Sequence, residues 1–377
     1  MVGAALAGAL VLLAVVTAYF VQRDEPAPTV AVERGRTQQT LLLQLAGADG
    51  AAVDSALLAH DPATAAGAVL LVPSQVLATP PGSGPLPFGQ ALAVDSDEAV
   101  RHALADLVGV TVDAGWVLNL PTLAALVDTL GGVDVDGDAA VPAPDGVTVA
   151  LQPGRQPLSG AQAATYAGVL GPGEPEQARL ARLQRLLDGL LAALPSGADQ
   201  VAGVLGGLGQ GSVPGGTDAR GLAAVLLGLR DDDRGAALRY DVLPVVVVDT
   251  AAAQPSLRLD ADRSRAVVDR LLAGSVPAGA RQGGRVKVFN GVGTPMLGEA
   301  VRAELVAAGL VYVPGGNAPR FGVARSEVQI GLPTPESLAL GRRVATALGL
   351  PADAVRTSPP TSAAEVVVVV GADFVPG

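Results

Sequence analysis

TLLLQLAGAD, Thr40–Asp49, holds a continuous apolar run, Leu41–Leu45, interrupted only by Gln44, that enters a Gly-Ala-Asp-Gly turn. A short apolar run closed by a turn signal fits a strand buried on both faces, not one that wets alternate side chains. Val69–Val72 and Val242–Val248 read the same way. Helical segments with their own punctuation lie between them. Ser96 supplies an N-cap for a helix with Val100, Leu104, Leu107 and Val108 on one face, and Gly109 closes it. Pro121 opens a second helix that runs to Leu130 before Gly131. Pro175 opens a longer one whose apolar side is Leu183, Leu186, Leu187, Leu190, Leu191 and Leu194, and Pro195 ends it. Strands alternating with helices predict a three-layer α/β/α domain over residues 40–275. Gly203–Gly216 reads as a surface loop.

Working outward, Met1–Gln22 carries no charge, and Val2–Val21 is apolar apart from Thr17. Roughly 20 such residues make a helix long enough to span a bilayer. No clear small-x-small cleavage site follows, so residues 1–22 are expected to be an uncleaved single-pass transmembrane anchor, with the soluble domains outside the cytoplasm. Residues 23–39 form a linker. Toward the other end, Ser275–Gly284 marks a boundary before a repeat. Strand Arg285–Phe289, Thr294-Pro295 and Gly309 are echoed forty residues on by strand Arg325–Ile330, Thr334-Pro335 and Gly349. Two such βαβ-like halves predict a small α/β sandwich of ferredoxin-like type over residues 285–374, able to fold alone.

Composition excludes whole classes of function. Of 377 residues, 49% are hydrophobic and 16% charged, which provides for a large core. The net charge of −11 argues against nucleic acid. No cysteine is present, so disulfides, thiolate metal sites and thiol catalysis are absent. Histidine occurs only at His60 and His102, which makes a multi-histidine metal site implausible. Lysine occurs only at Lys287.

LVDTLGGVDV, Leu126–Val135, resembles the signature of the LytR-CpsA-Psr (LCP) family of cell-wall assembly proteins, and further segments follow in that family's order. Thr40–Asp49 is similar to its opening strand and aspartate turn, and VDSALLAHDP, Val53–Pro62, to its second aspartate motif. LLVPSQV, Leu70–Val76, sits where the family has a strand ending in Ile-Pro-Arg-Asp. LSGAQAATYA, Leu158–Ala167, and RLARLQ, Arg179–Gln184, resemble its later motifs. VKVFNGVGTPMLGEAV through VVVVVGADF is similar to the LytR C-terminal domain. The resemblance implies a protein that handles glycopolymers on a polyprenyl-pyrophosphate carrier outside the membrane, with magnesium. Such chemistry calls for guanidinium forks on phosphate, carboxylates on the metal and an apolar tunnel for the tail.

By that resemblance, Asp49 and Asp54 correspond to the magnesium-side carboxylates, and Arg179 and Arg182 to phosphate-binding arginines. Ser74 and Gln75 replace the arginine and aspartate of Ile-Pro-Arg-Asp, and Gly168 and Leu170 replace two further arginines. Losing one donor on a developing phosphate charge costs about 100- to 1000-fold in rate. The expected function is therefore a membrane-anchored cell-envelope protein with a degraded active site. It would bind polyprenyl-(pyro)phosphate-linked intermediates or regulate their attachment to peptidoglycan. The alternatives are a weak phosphotransferase and a scaffold whose C-terminal domain docks peptidoglycan or other cell-wall proteins.

Overall fold

The computed structural model describes residues 36–375, apart from residues 81–82, 84, 144, 146–147, 210–211, 250–255, 278–283, 296 and 359–363. The anchor expected over residues 1–22 and most of the linker lie outside the described residues. Among the described residues no helix is long and apolar enough to cross a membrane.

The opening strand, β1 (Gln39–Ala46), sits centrally in a six-stranded mixed sheet. β2 (Ala52–Asp61) pairs antiparallel with it, and β3 (Ala66–Val72) antiparallel with β2. After helix α1 (Asp97–Val108), β4 (Ala114–Asn119) lies parallel to β1 on its other side. Helices α2 (Leu120–Thr129), α3 (Gly160–Gly168), α4 (Glu176–Ala193) and α5 (Ala198–Gly206) follow. β5 (Ser212–Gly215) adds antiparallel to β4 at one edge. Helix α6 (Ala219–Arg234) and β6 (Leu238–Val242), parallel to β3, complete the other edge, and α7 (Ala261–Leu271) packs last. The spatial order is β5-β4-β1-β2-β3-β6.

Leu41, Leu42, Leu43 and Leu45 are all at most 3% exposed, as a strand covered on both faces requires. Leu43 and Leu45 belong to a core shared with α2, α4, α5 and α6. Leu42 belongs to a second core shared with α1 and α7. The three-layer expectation therefore holds for this domain. Two local expectations need correction. Val242–Val248 is not one strand: Leu243-Pro244 interrupts it, and Val245–Asp249 forms a separate hairpin with Ser256–Leu259. Proline has no N–H to give a ladder, so the run breaks there. Gly203–Gly216 is not simply a loop: α5 takes its start and β5 its end. Pro214 is tolerated in β5 because that strand is an edge.

The C-terminal domain contains β7 (Arg285–Asn290), α8 (Leu297–Ala307), β8 (Val311–Asn317), β9 (Glu327–Ile330), α9 (Pro335–Ala347), β10 (Val355–Thr357) and β11 (Val366–Val370). The repeat is real. Gly309 and Gly349 end their helices at φ +69° and +64°, and the Thr334 hydroxyl accepts from Ser337 N–H at the start of α9. The topology is not ferredoxin-like. A split βαβ unit would place another strand between its two strands. Here β7 pairs directly with β8, and β9 with β10, both in parallel. β11 joins the halves, giving the order β8-β7-β11-β9-β10. Helices α8 and α9 pack with Val286, Val288, Val366 and Val368 into one core.

The two domains meet through a buried charge. Lys287 of β7, 2% exposed, forms an ion pair with Asp106 of α1 and donates to the Thr79 carbonyl at 3.3 Å. Its ammonium lies 5.2 Å from the Phe289 ring centroid.

Candidate lipid-phosphate site

Helix α4 carries the site. Glu176 in its first turn complements the positive end of the helix dipole. Leucines at three- and four-residue spacing turn one face into the core. The signature segment holds the helix in place. Gly131 and Gly132 reverse the chain at φ +84° and +102° after α2, and strand Val133–Gly137 follows. Gly189 lets α4 lie directly on that strand, because a Cβ there would stand 2.5 Å from the Asp134 carbonyl oxygen. Asp134 and Asp136 themselves face outward, as the strand's alternation dictates.

Arg179 and Arg182, three residues apart on α4, are 8% and 6% exposed. Arg179 Nε donates to Asp54 Oδ1 at 3.1 Å, and its Nη2 donates to the Val53 carbonyl at 2.5 Å and to Glu176 Oε1 at 3.5 Å. Glu176 Oε1 also accepts from Ser74 N–H at 2.6 Å, so it bridges the end of β3 to α4. Arg182 Nε donates to the Tyr166 carbonyl at 2.8 Å, and its Nη2 to that of Val169. Its outer edge is closed by Glu174, with Nη1 bonded to Oε1 and Nη2 to Oε2 at 3.3 Å.

Asp54 is completely buried, and its Oδ2 has no partner among the described residues. Burial pushes its pKa up to about 7 even though Arg179 pulls the other way. Burial also acts to raise Glu174, but hydrogen bonds from Arg182 and Gly171 N–H together hold its carboxyl below the usual range.

The structure thus brings Asp54 and Arg179 together and sets Arg182 on the same helix. Asp49 is placed apart in role: it is exposed, and its Oδ1 accepts from Ala51 N–H at 3.1 Å to tie the β1–β2 turn. Magnesium wants converging hard oxygens. Among the described residues no three histidine or acidic side chains gather as metal ligands. Asp54 gives one oxygen to Arg179 and leaves one. This donor set does not by itself fit a magnesium ion.

Other arginines do not fill the gaps. Arg185 Nη2 donates to Asp138 at 2.8 Å, and Arg155 forms an exposed 3.5 Å pair with Asp134. Leu170 is 40% exposed. His60 pairs with Asp232 at 2.6 Å, and His102 is exposed.

Beneath α4 lies a small apolar cavity of about 30 Å³ lined by leucines and by Trp116. Leu43 and Leu45 come from β1, Leu118 from β4, Leu123 and Leu126 from α2, Leu183 to Leu194 from α4 and its end, and Leu226 from α6. From Arg182 to Leu194 the helix advances about 18 Å at 1.5 Å per residue. Charge at the start of α4 therefore continues into an apolar space along its length. Trp116 Nε1 donates to Ser212 Oγ at 2.8 Å, which satisfies its one polar atom beside the cavity.

Glu174, Glu176 and Trp116 were not expected as site residues. The three-residue spacing of Glu176 and Arg179 was a usable signal for a helical ion pair. Nothing local in the sequence marked Trp116, whose partner Ser212 is distant in the chain, and Glu174 reaches Arg182 from a connection with no periodicity to read.

The sequence profile of the LytR_cpsA_psr family matches residues 88–196, and that of LytR_C, the LytR cell envelope-related transcriptional attenuator, matches residues 284–374. No curated protein matches the chain significantly. Among solved structures, B. subtilis TagV aligns with a TM-score of 0.54 at 13% identity, covering 63% of this chain and 97% of that one. Protein gbs0355 of Streptococcus agalactiae gives 0.55 at 17% identity, covering 66% and 91%. A TagT bound to LIIa-WTA gives 0.51 at 17% identity, covering 67% and 97%. At these identities the likeness is one of fold. With both profiles in sequence order, on a domain of that fold followed by a separate sheet domain, the chain is a member of the LytR-CpsA-Psr family that carries a C-terminal LytR domain.

Proposed function

We propose that the first domain binds a polyprenyl-(pyro)phosphate-linked glycopolymer intermediate at the cell envelope and transfers it poorly or not at all. The supporting observation is the leucine-lined cavity beneath α4, whose lining on that helix begins at Leu183, next to Arg182. Burying an isoprenoid tail there gains about 25 cal/mol per Å² of apolar surface, whatever the headgroup does. The kind of ligand agrees with the family, whose relatives take part in cell-wall glycopolymer attachment, and with the TagT structure bound to LIIa-WTA.

The weak-phosphotransferase reading is less favoured. Both guanidiniums already hold carboxylates of this chain, and Ser74 stands where the family motif has an arginine. The chain's own contribution is to bury the tail and to offer the outer edge of Arg182 to phosphate. The proposed anchor at residues 1–22 would keep the domain beside its lipid.

The test is to extract the full-length protein from membranes and identify the lipids that accompany it by mass spectrometry. Polyprenyl phosphate or pyrophosphate is expected in the wild type, and less in Arg179→Ala/Arg182→Ala. Its absence from the wild type would leave the scaffold reading.

A further inference from the structure

Arg182 is built in two parts. Its Nε and one N–H of Nη2 are fixed by the Tyr166 and Val169 carbonyls, which hold the guanidinium plane in place. Its Nη1/Nη2 edge faces Glu174, whose two oxygens meet it side by side. A carboxylate and a phosphate present the same paired oxygens to such a fork. Arg179 offers no comparable edge, because Asp54 and the Val53 carbonyl hold it from the sheet side.

Glu174 belongs to the α3–α4 connection, Gly171-Pro172-Gly173-Glu174-Pro175, and not to either helix. Besides Arg182, Glu174 is held by Gly171 N–H, which donates to Oε2 at 2.8 Å inside the same short segment. Its side chain is 20% exposed, against 7% for the Arg182 side chain that it covers. The connection can therefore swing outward without uncovering the core. Electrostatics point the same way. Arg179 and Arg182 face Asp54, Glu174 and Glu176, two cations against three acids, so the cluster offers an incoming anion no surplus positive charge.

We propose that Glu174 is a built-in competitor for the phosphate headgroup: its carboxylate occupies the Arg182 fork, and a phosphate-bearing lipid binds by displacing the Gly171–Pro175 segment. This rests on the lipid-phosphate reading of the site and adds its regulation. Affinity for the headgroup is set by the difference between two anions on one fork, while affinity for the tail is set by the leucine cavity alone.

The experiment titrates the full-length protein with geranylgeranyl phosphate, with the uncharged alcohol geranylgeraniol, and with inorganic pyrophosphate. Glu174→Gln keeps the shape and removes the charge, and it should tighten the phosphate by about tenfold, the worth of one charge-assisted bond, with the alcohol unchanged. Glu174→Asp, which retracts the carboxylate but keeps its charge, should give a smaller gain. Adding Arg182→Gln to Glu174→Gln should abolish the gain. Melting curves establish that each variant is folded. If both lipids bind and Glu174→Gln leaves their ratio unchanged, or weakens the phosphate, Glu174 is a structural counter-ion and the proposal is overturned. If the wild type binds neither lipid, the cavity reading fails separately. The competitor proposal then stands or falls on pyrophosphate, which Glu174→Gln must bind more tightly than the wild type.

Discussion

The two faces of the first domain's sheet draw on the same apolar alphabet and come to different ends. The face under α2, α4, α5 and α6 is rich in leucine and keeps a cavity of about 30 Å³ lined by leucines and Trp116. The face under α1 and α7 mixes Val, Ala and Leu with Phe88. Alternating large and small side chains interdigitate, whereas a uniform lining of one large residue leaves gaps. Two of the buried aspartates are put to different uses on the two sides. Asp54, toward the cavity, leaves an oxygen unpartnered. Asp106, on the outer side of α1, is spent on Lys287 of the neighbouring domain. One face thus carries the candidate site, and the other the seam between domains.

The largest expected effect breaks the seam. Lys287→Ala leaves Asp106 buried without its ammonium, and removing one partner of a buried pair costs about 3–5 kcal/mol. Arg285, also close to Asp106, will keep the loss toward the lower figure. Urea denaturation measures it. Lys287→Met/Asp106→Leu should recover most of the loss, and a double variant as unstable as the single one would show that shape, not charge, holds the domains together.

Asp54 provides the next effect, through pH. Its carboxyl is raised from 3.8 to about 7 in the folded protein. A raised acid stabilises the fold fully below its unfolded pKa, and that stability is lost as pH rises through the folded value. Stability from this group should therefore fall between about pH 4 and pH 7. Asp54→Asn keeps an acceptor for Arg179 and removes the slope. It should equal the wild type near pH 4 and exceed it by roughly 4 kcal/mol at pH 8. Equal melting curves at both pH values would mean that Arg179 keeps Asp54 ionised.

Core truncations compare the faces directly. Leu104→Ala, on the face under α1 and α7, should cost about 3–4 kcal/mol, and Leu187→Ala, on the cavity wall, about 2 kcal/mol, because the wall already lacks partner atoms on one side. The smallest effect has the opposite sense. Leu107→Phe should cost about 1–3 kcal/mol by overpacking, while Leu126→Phe should stay within about 1 kcal/mol by growing into the void. Equal costs on the two faces would mean that the cavity is not an open space in solution.

Much of this was legible in the chain. Leu41–Leu45 announced a doubly covered strand, and Thr334-Pro335 and Gly349 bracketed α9, because capping and burial act within a few residues. The misreadings have the opposite character. Val242–Val248 reads as one strand until Pro244 is given its missing donor. The C-terminal halves carry the same local signals whether their strands pair directly or through a third strand, so the ferredoxin-like expectation failed on a long-range pairing. The site divides in the same way. Arg179, Arg182 and Asp54 followed from motif resemblance, but Glu174 closes on Arg182 through a loop with no periodicity to read. Asp49, which the motif offers as a metal ligand, is used by its own turn.

The central claim is that the leucine face admits an isoprenoid tail, and Trp116 reports on it directly, being the only tryptophan in the chain and part of the cavity wall. The decisive measurement is its fluorescence during titration of the full-length protein with polyprenyl phosphate. A saturable emission change at micromolar lipid, lost in Leu126→Phe and retained in Lys287→Met/Asp106→Leu, is the predicted result. Emission that stays constant in the wild type, or that changes identically in Leu126→Phe, would contradict the account.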